Sequence, residues 1–177
     1  VKKGNLADAE TQAVILALCE GEKALTAEAE AVDLKTGGVI RDVLKSGDFE
    51  ASPGQVSVIY TKKLPHAKRI ALVGLGRKKE LTLEKIRKAY AKVMQHLRSL
   101  KMKDAAISLD WNLLPDQKNA LIAAVAEGAR LGLYRYIPYK TVERDEIREM
   151  RQLDIIAGDK DYKCVLDEIR KSNIILD

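Results

Sequence analysis

The stretch Arg69-Ile70-Ala71-Leu72-Val73-Gly74-Leu75-Gly76 is a continuous apolar run closed by a glycine turn. With no wet face, it reads as a strand buried on both sides in the middle of a sheet. Ala13–Cys19, AVILALC, ended by Glu20-Gly21, reads the same way. Ala105–Leu109 and Leu153–Ala157 predict two further strands. Gln55–Thr61 is different: Val56, Val58 and Tyr60 alternate with Ser57, Ile59 and Thr61. Apart from Ile59, that pattern predicts a strand with one wetter face.

Between the strands the apolar period lengthens. Leu83, Ile86, Tyr90, Val93 and Leu97 recur every three or four residues, which predicts a helix from Thr82 to Leu100 with Thr82 as its N-cap. Pro115-Asp116 opens a second long helix, Gln117 to about Tyr134, with Leu121, Val125, Gly128 and Leu131 or Gly132 on its inner side. A glycine inside a helix costs up to about 1 kcal/mol, so Gly128 and Gly132 predict a neighbour packed unusually close. Leu25–Leu34, closed by Thr36-Gly37-Gly38, predicts a short helix. Val39, Ile40, Val43 and Leu44 predict another, stopped by Gly47. Pro53-Gly54 marks a turn. Pro138 stands just past the second long helix, Glu143–Arg151 is densely charged, and Tyr162–Lys171 is amphipathic at helical spacing. Strands alternating with helices imply an α/β fold, a three-layer αβα sandwich around a mixed, mainly parallel sheet.

A chain of 177 residues favours one domain. At 46% hydrophobic and 32% charged residues it has an ordinary globular composition rather than that of a disordered chain. Cys19 and Cys164 lie far apart and outside any Cys-x-x-Cys pair; Cys19 reads as a buried thiol, consistent with a reducing compartment. Ala13–Cys19 is far shorter than the roughly 20 residues of a membrane span, and Val1–Gly4 lead into no apolar signal segment. A cytoplasmic location and no membrane partner are expected.

Motifs for catalysis are missing. The Gly74-Leu75-Gly76 turn lacks the third glycine of a dinucleotide fingerprint, because position 79 is Lys79, and no Gly-Lys-Ser/Thr phosphate loop exists. His66 and His96 fall in separate elements without carboxylates or thiols at ligand spacing. There is no Gly-x-Ser-x-Gly elbow. No catalytic, cofactor-binding or metal-ligating residue is assigned, and no cofactor is expected in this chain.

Charge is the uneven feature. Residues 62–103 hold 14 Lys or Arg against two acids, Glu80 and Glu84, although the whole chain is only +5. Lys85, Lys88 and Lys92 fall on the side of the first long helix opposite its apolar stripe. They are candidates for an anionic partner, nucleic acid or an acidic surface on another subunit, if they are not simply a solvated face.

Several segments, in order, resemble the amino-terminal domain of leucyl (cytosol) aminopeptidases. They are Leu16-Ala17-Leu18-Cys19-Glu20-Gly21; Asp33 with Gly37-Gly38-Val39-Ile40 and Gly47-Asp48-Phe49; and Arg69–Gly76 followed by Arg77-Lys78. The stretch Ala126–Tyr136, AEGARLGLYRY, with Tyr139-Lys140, resembles the family's long helix and its exit. The likeness runs from about Ala13 to Ala157; Glu50-Ala51-Ser52-Pro53 departs from it.

The resemblance implies a macro-domain-like sandwich at 12–160, preceded by a flexible lead at 1–11. Residues 161–177 would form a linker helix toward a catalytic domain with two divalent metals, zinc or manganese. It implies a parent metalloexopeptidase that releases amino-terminal residues from peptides, assembled as a homo-hexamer, with this chain inactive alone and serving assembly, access or regulation. The alternative is a nucleic-acid-binding module using the basic 62–103 segment. An ADP-ribose-type pocket follows from fold analogy alone.

Overall fold

The computed structural model describes residues 1–22, 24–134 and 150–174. Pro138, Tyr139-Lys140 and most of the charged stretch Glu143–Arg151 lie outside the described residues. Six strands form one sheet in the order β1-β6-β5-β2-β4-β3. They are β1 (Lys2–Lys3), β2 (Ala13–Leu18), β3 (Val56–Tyr60), β4 (Arg69–Gly74), β5 (Asp104–Ser108) and β6 (Gln152–Ala157). All neighbours are parallel except β3, which runs antiparallel to β4 at one edge.

The apolar runs of β2 and β4 occupy the centre, paired from Ala13 with Arg69 to Leu18 with Gly74. Their side chains divide by parity. Ala13, Ile15, Ala71, Val73, Ala105 and Ile107 face one cluster; Val14, Leu16, Ile70, Leu72 and Ala106 face the other. A strand wet on one side could not supply both, which is why these runs are apolar throughout.

The first cluster is covered by α3 (Leu83–Ser99), α4 (Lys118–Leu133) and α5 (Tyr162–Ile174). The second is covered by α1 (Ala27–Thr36) and α2 (Val39–Ser46). This is the expected three-layer sandwich with a mixed, mainly parallel sheet. Thr82 caps α3 by accepting the Lys85 N–H at 3.2 Å. Likewise Thr26 accepts the Ala29 N–H at 3.2 Å, so α1 begins and ends two residues beyond the predicted Leu25–Leu34. Pro115–Gln117 form a 3-10 turn that leads into α4.

Gly128 and Gly132 do what their position predicts. A methyl group on Gly128 would lie 2.9 Å from Arg87 Cα, and one on Gly132 2.8 Å from Ala91 Cα. Helix α4 therefore touches the backbone of α3, and only glycine leaves room. At the end of β4, Gly76 adopts φ +77 and a side chain there would meet the Pro53 ring, so the glycine turn is a strand exit. Helix α3 begins seven residues later, too far on for its N-terminus to serve a bound phosphate.

The expected flexible lead at 1–11 is corrected. Lys2 and Lys3 pair with Ile156 and Ala157 of β6, while Leu6 and Ala7, in a 3-10 turn, are buried in the second cluster. Asn5 caps that turn through the Ala7 N–H at 2.9 Å. Lys2 is held to Asp154 at 2.7 Å, a hydrogen bond that raises its pKa. A two-residue polar edge strand carries no apolar period, so backbone pairing and one leucine anchor the segment without a pattern to show it.

Candidate functional site

Lys85, Lys88 and Lys92 share the outer side of α3, but carboxylates neutralise much of it. Lys85 Nζ lies 3.3 Å from Glu80. Lys88 lies 3.5 Å from Glu84, one helical turn back. Between them Arg87 binds Glu127 of α4 and sits 3.6 Å from Glu84; the Glu127 hydrogen bond raises its pKa. The stem of Lys92 lies across Gly54, and it has no ion pair among the described residues. Arg77 and Lys78, next to this helix in sequence, meet Glu20 at 3.5 Å and Glu22 at 3.4 Å. Local counting in the sequence cannot see these partners, because Glu20, Glu22 and Glu127 lie outside the basic segment.

Free positive charge collects elsewhere. Where the parallel strands begin, a chain of hydrogen bonds crosses the sheet. The Arg151 N–H donates to the Lys103 carbonyl at 2.7 Å, and the Lys103 N–H to Gln12 Oε1 at 2.8 Å. The Lys68 N–H donates to the Gln12 carbonyl at 3.2 Å, and the Thr61 N–H to the Lys68 carbonyl at 3.0 Å. Lys62, Lys68, Lys101, Lys103 and Arg151 are all exposed along this edge, and none has an ion pair among the described residues. The carboxylate of Asp104 turns inward, accepting from Thr11 Oγ1 at 3.0 Å and the Gln12 N–H at 2.6 Å. Arg69 lies just inside: its Nη1 is 3.2 Å from Met102 Sδ and its guanidinium 5.0 Å from the centre of the Tyr60 ring. Its Nε is buried without a hydrogen-bond partner among the described residues. Sequence reasoning missed this row, although Lys68, Lys103 and Arg151 each sit one residue before a strand.

A model of the "Cytosol aminopeptidase family, N-terminal domain" matches residues 14–143. The chain belongs to that family. A cytosol aminopeptidase of Pseudomonas aeruginosa is 33% identical over 156 residues, 88% of this chain and 31% of its own length. The chain spans about a third of the length of the curated relatives it matches. Among solved structures, a tomato leucine aminopeptidase variant superposes with TM-score 0.73 at 18% identity, covering 97% of this chain and 34% of the other. A variant of the Oceanobacillus iheyensis macrodomain superposes with TM-score 0.71 at 11% identity, covering 95% and 88%. The cytosol aminopeptidase N-terminal domain thus has a macrodomain-like fold.

Cytosol aminopeptidases are metal-dependent, but the donors of this domain do not fit a metal ion: no three His, Cys, Asp or Glu side chains converge among the described residues. His66 lies in the β3–β4 loop and His96 on the exposed side of α3. Cys19 is buried, which pushes its thiol up to about 11, with Glu22 adding to the shift, so it is a poor nucleophile near neutral pH. Open α/β sheets hold ligands beyond the carboxyl ends of their strands. In this cytosol aminopeptidase domain the cavity there, lined by Leu18, Cys19, Leu25, Thr26, Asp110 and Leu113, measures about 10 Å³. That is room for about one water, so this cavity among the described residues is too small for an ADP-ribose-type ligand.

Proposed function

We propose that this chain is the non-catalytic amino-terminal domain of a leucyl aminopeptidase, and that it governs assembly and access to a catalytic domain. That domain would carry two divalent metals, zinc or manganese, and release amino-terminal residues from peptides in the cytoplasm by metal-activated water. Residues 161–177 would lead toward it, and the parent would assemble as a homo-hexamer. The family match over residues 14–143, in a chain about a third as long as its relatives, carries this reading. The scattered histidines and the absence of converging metal donors among the described residues support it.

Leucine-amide hydrolysis with added manganese tests it. The chain alone should give no turnover, and a fusion to the catalytic part of the Pseudomonas aeruginosa relative should give turnover from a hexamer. Robust turnover by the chain alone would overturn the reading. The nucleic-acid alternative on Lys85, Lys88 and Lys92 draws less support, since two of the three lysines already face carboxylates.

A further inference from the structure

We propose that the cavity at the β3–β4 loop binds an apolar carboxylate, either a free aromatic acid or the carboxyl end of a peptide whose last residue is apolar. The inference stands independently of the aminopeptidase reading, and three observations carry it.

The loop is a fixed frame. The Thr61 N–H donates to the Lys68 carbonyl at 3.0 Å and ties its two ends together, while the Lys68 N–H donates to the Gln12 carbonyl at 3.2 Å. Within it, Thr61 Oγ1 accepts the Lys63 N–H at 3.1 Å. Leu64 and Ala67 are buried in the second cluster, and with the exposed Tyr60 ring they give the cavity an apolar lining. Its volume of about 560 Å³ is within the 300–1,000 Å³ or so typical of ligand clefts. A loop already tied in place adds little ordering cost on binding.

Hydrogen-bond donors stand open beside it. The backbone N–H groups of Leu64, His66 and Ala67 have no acceptor among the described residues, and all three residues line the cavity. Backbone N–H groups shut away from water are nearly always paired, so open ones at a cavity mark a place for an oxygen ligand. A carboxylate has two oxygens able to accept several such bonds. Clustered backbone donors are a recurrent way of capturing a peptide's carboxyl end.

Charge fixes the sign of the ligand. Residues 60–69 hold four cations and no acid. Two of them are engaged elsewhere. Lys63 Nζ lies against Gly37 at the carboxyl end of α1, where the helix dipole favours a cation, and Arg69 stacks on Tyr60. Lys62 and Lys68 remain, both exposed, both lining the cavity and both without an ion pair among the described residues. A free amino acid fits poorly, because its ammonium group would approach the same two lysines.

Amide chemical-shift titration of the 177-residue chain with 3-phenylpropionate tests the proposal. Shifts should centre on Leu64, His66 and Ala67 and saturate with a Kd of about 1 mM or below. The neutral 3-phenylpropanamide and the zwitterion phenylalanine should each bind at least about tenfold more weakly. Lys62→Ala with Lys68→Ala should weaken binding about tenfold. Lys101→Ala with Lys103→Ala, on the same edge but outside the cavity, should leave it within about twofold. Thermal melts of the variants should match the parent; the ligand comparisons need no variant and decide the matter even where one fails to fold. N-acetyl-glycyl-phenylalanine separates the two sources. Tighter binding than 3-phenylpropionate assigns the site to peptide ends, and equal or weaker binding assigns it to free acids. No saturable shift by about 20 mM, equal binding of the amide or of phenylalanine, equal loss from the Lys101/Lys103 pair, or displacement by equimolar inorganic phosphate would each overturn it.

Discussion

The buried carboxylate of Asp33 accepts the backbone N–H of Ile40 at 2.8 Å, so the last turn of α1 caps the first turn of α2. Gly38 stands at the N-cap of α2 with no side chain for the task. Asp33 also accepts the Arg41 N–H at 3.2 Å and its Nη1 at 2.7 Å, while Glu30 holds the other guanidinium arm at 2.8 Å. The Glu30 hydrogen bond is the main cause of the raised Arg41 pKa.

Asp33→Ala strands helix N–H groups away from water and should cost about 2–3 kcal/mol. For a domain of this size the midpoint should fall by roughly 4–12 °C in a thermal melt. Asp33→Asn keeps an acceptor and should cost about half as much. Equal, small effects from both would show that water caps α2 instead.

Gly128→Ala and Gly132→Ala place a methyl against the α3 backbone at Arg87 and Ala91. Overpacking of this kind costs about 1–3 kcal/mol, more than the roughly 1 kcal/mol gained in helix propensity. Both variants should melt lower, by about 2–4 °C per kcal/mol of net loss. A higher midpoint would mean that α3 and α4 separate without penalty.

Leu6 is 0% exposed, so Leu6→Ala should cost about 2–5 kcal/mol. Deleting residues 1–11 should cost at least as much, because it also bares the outer edge of β6. Denaturant titration distinguishes this from a loose lead, for which both changes would be silent.

Thiol labelling should separate the two cysteines. At about pH 8, Cys164, exposed, reacts in the folded chain, and Cys19 reacts only after unfolding. The Cys19 thiol is raised from 9.0 to about 11 in the fold, so the unfolded chain loses its proton first. Its contribution is complete below pH 9 and lost as pH rises toward 11, so the urea midpoint should fall across that window and fall less in Cys19→Ala. A slope unchanged by the substitution would contradict this.

Most of the fold was legible because its elements announce themselves locally. The runs at β2 and β4 are apolar at every position, and α3 shows a full stripe with its cap. That α4 packs close against a neighbour was readable from two glycines alone; that the neighbour is α3 was not. Lys2–Lys3 was not readable, since a short polar strand at an edge is held by backbone bonds that any residue can make.

The basic segment shows the sharper limit. Counting charge between residues 62 and 103 located an excess but not its free part. Glu127 is 40 residues from Arg87, and Glu20 is 57 from Arg77. Only the folded chain sorts cations that have met a carboxylate from those left at the strand starts. Asp33 shows the same limit: its place in the family pattern was visible, but its work as the cap of a neighbouring helix was not.

The two layers covering the sheet are fastened unequally. Backbone-to-backbone contact locks α3 to α4, whereas α2 buries only Ile40 and leans on one carboxylate. Native-state amide exchange should therefore release α1 and α2 as a separate cooperative unit, well below the free energy of global opening. The domain would then have one stiff side and one that breathes.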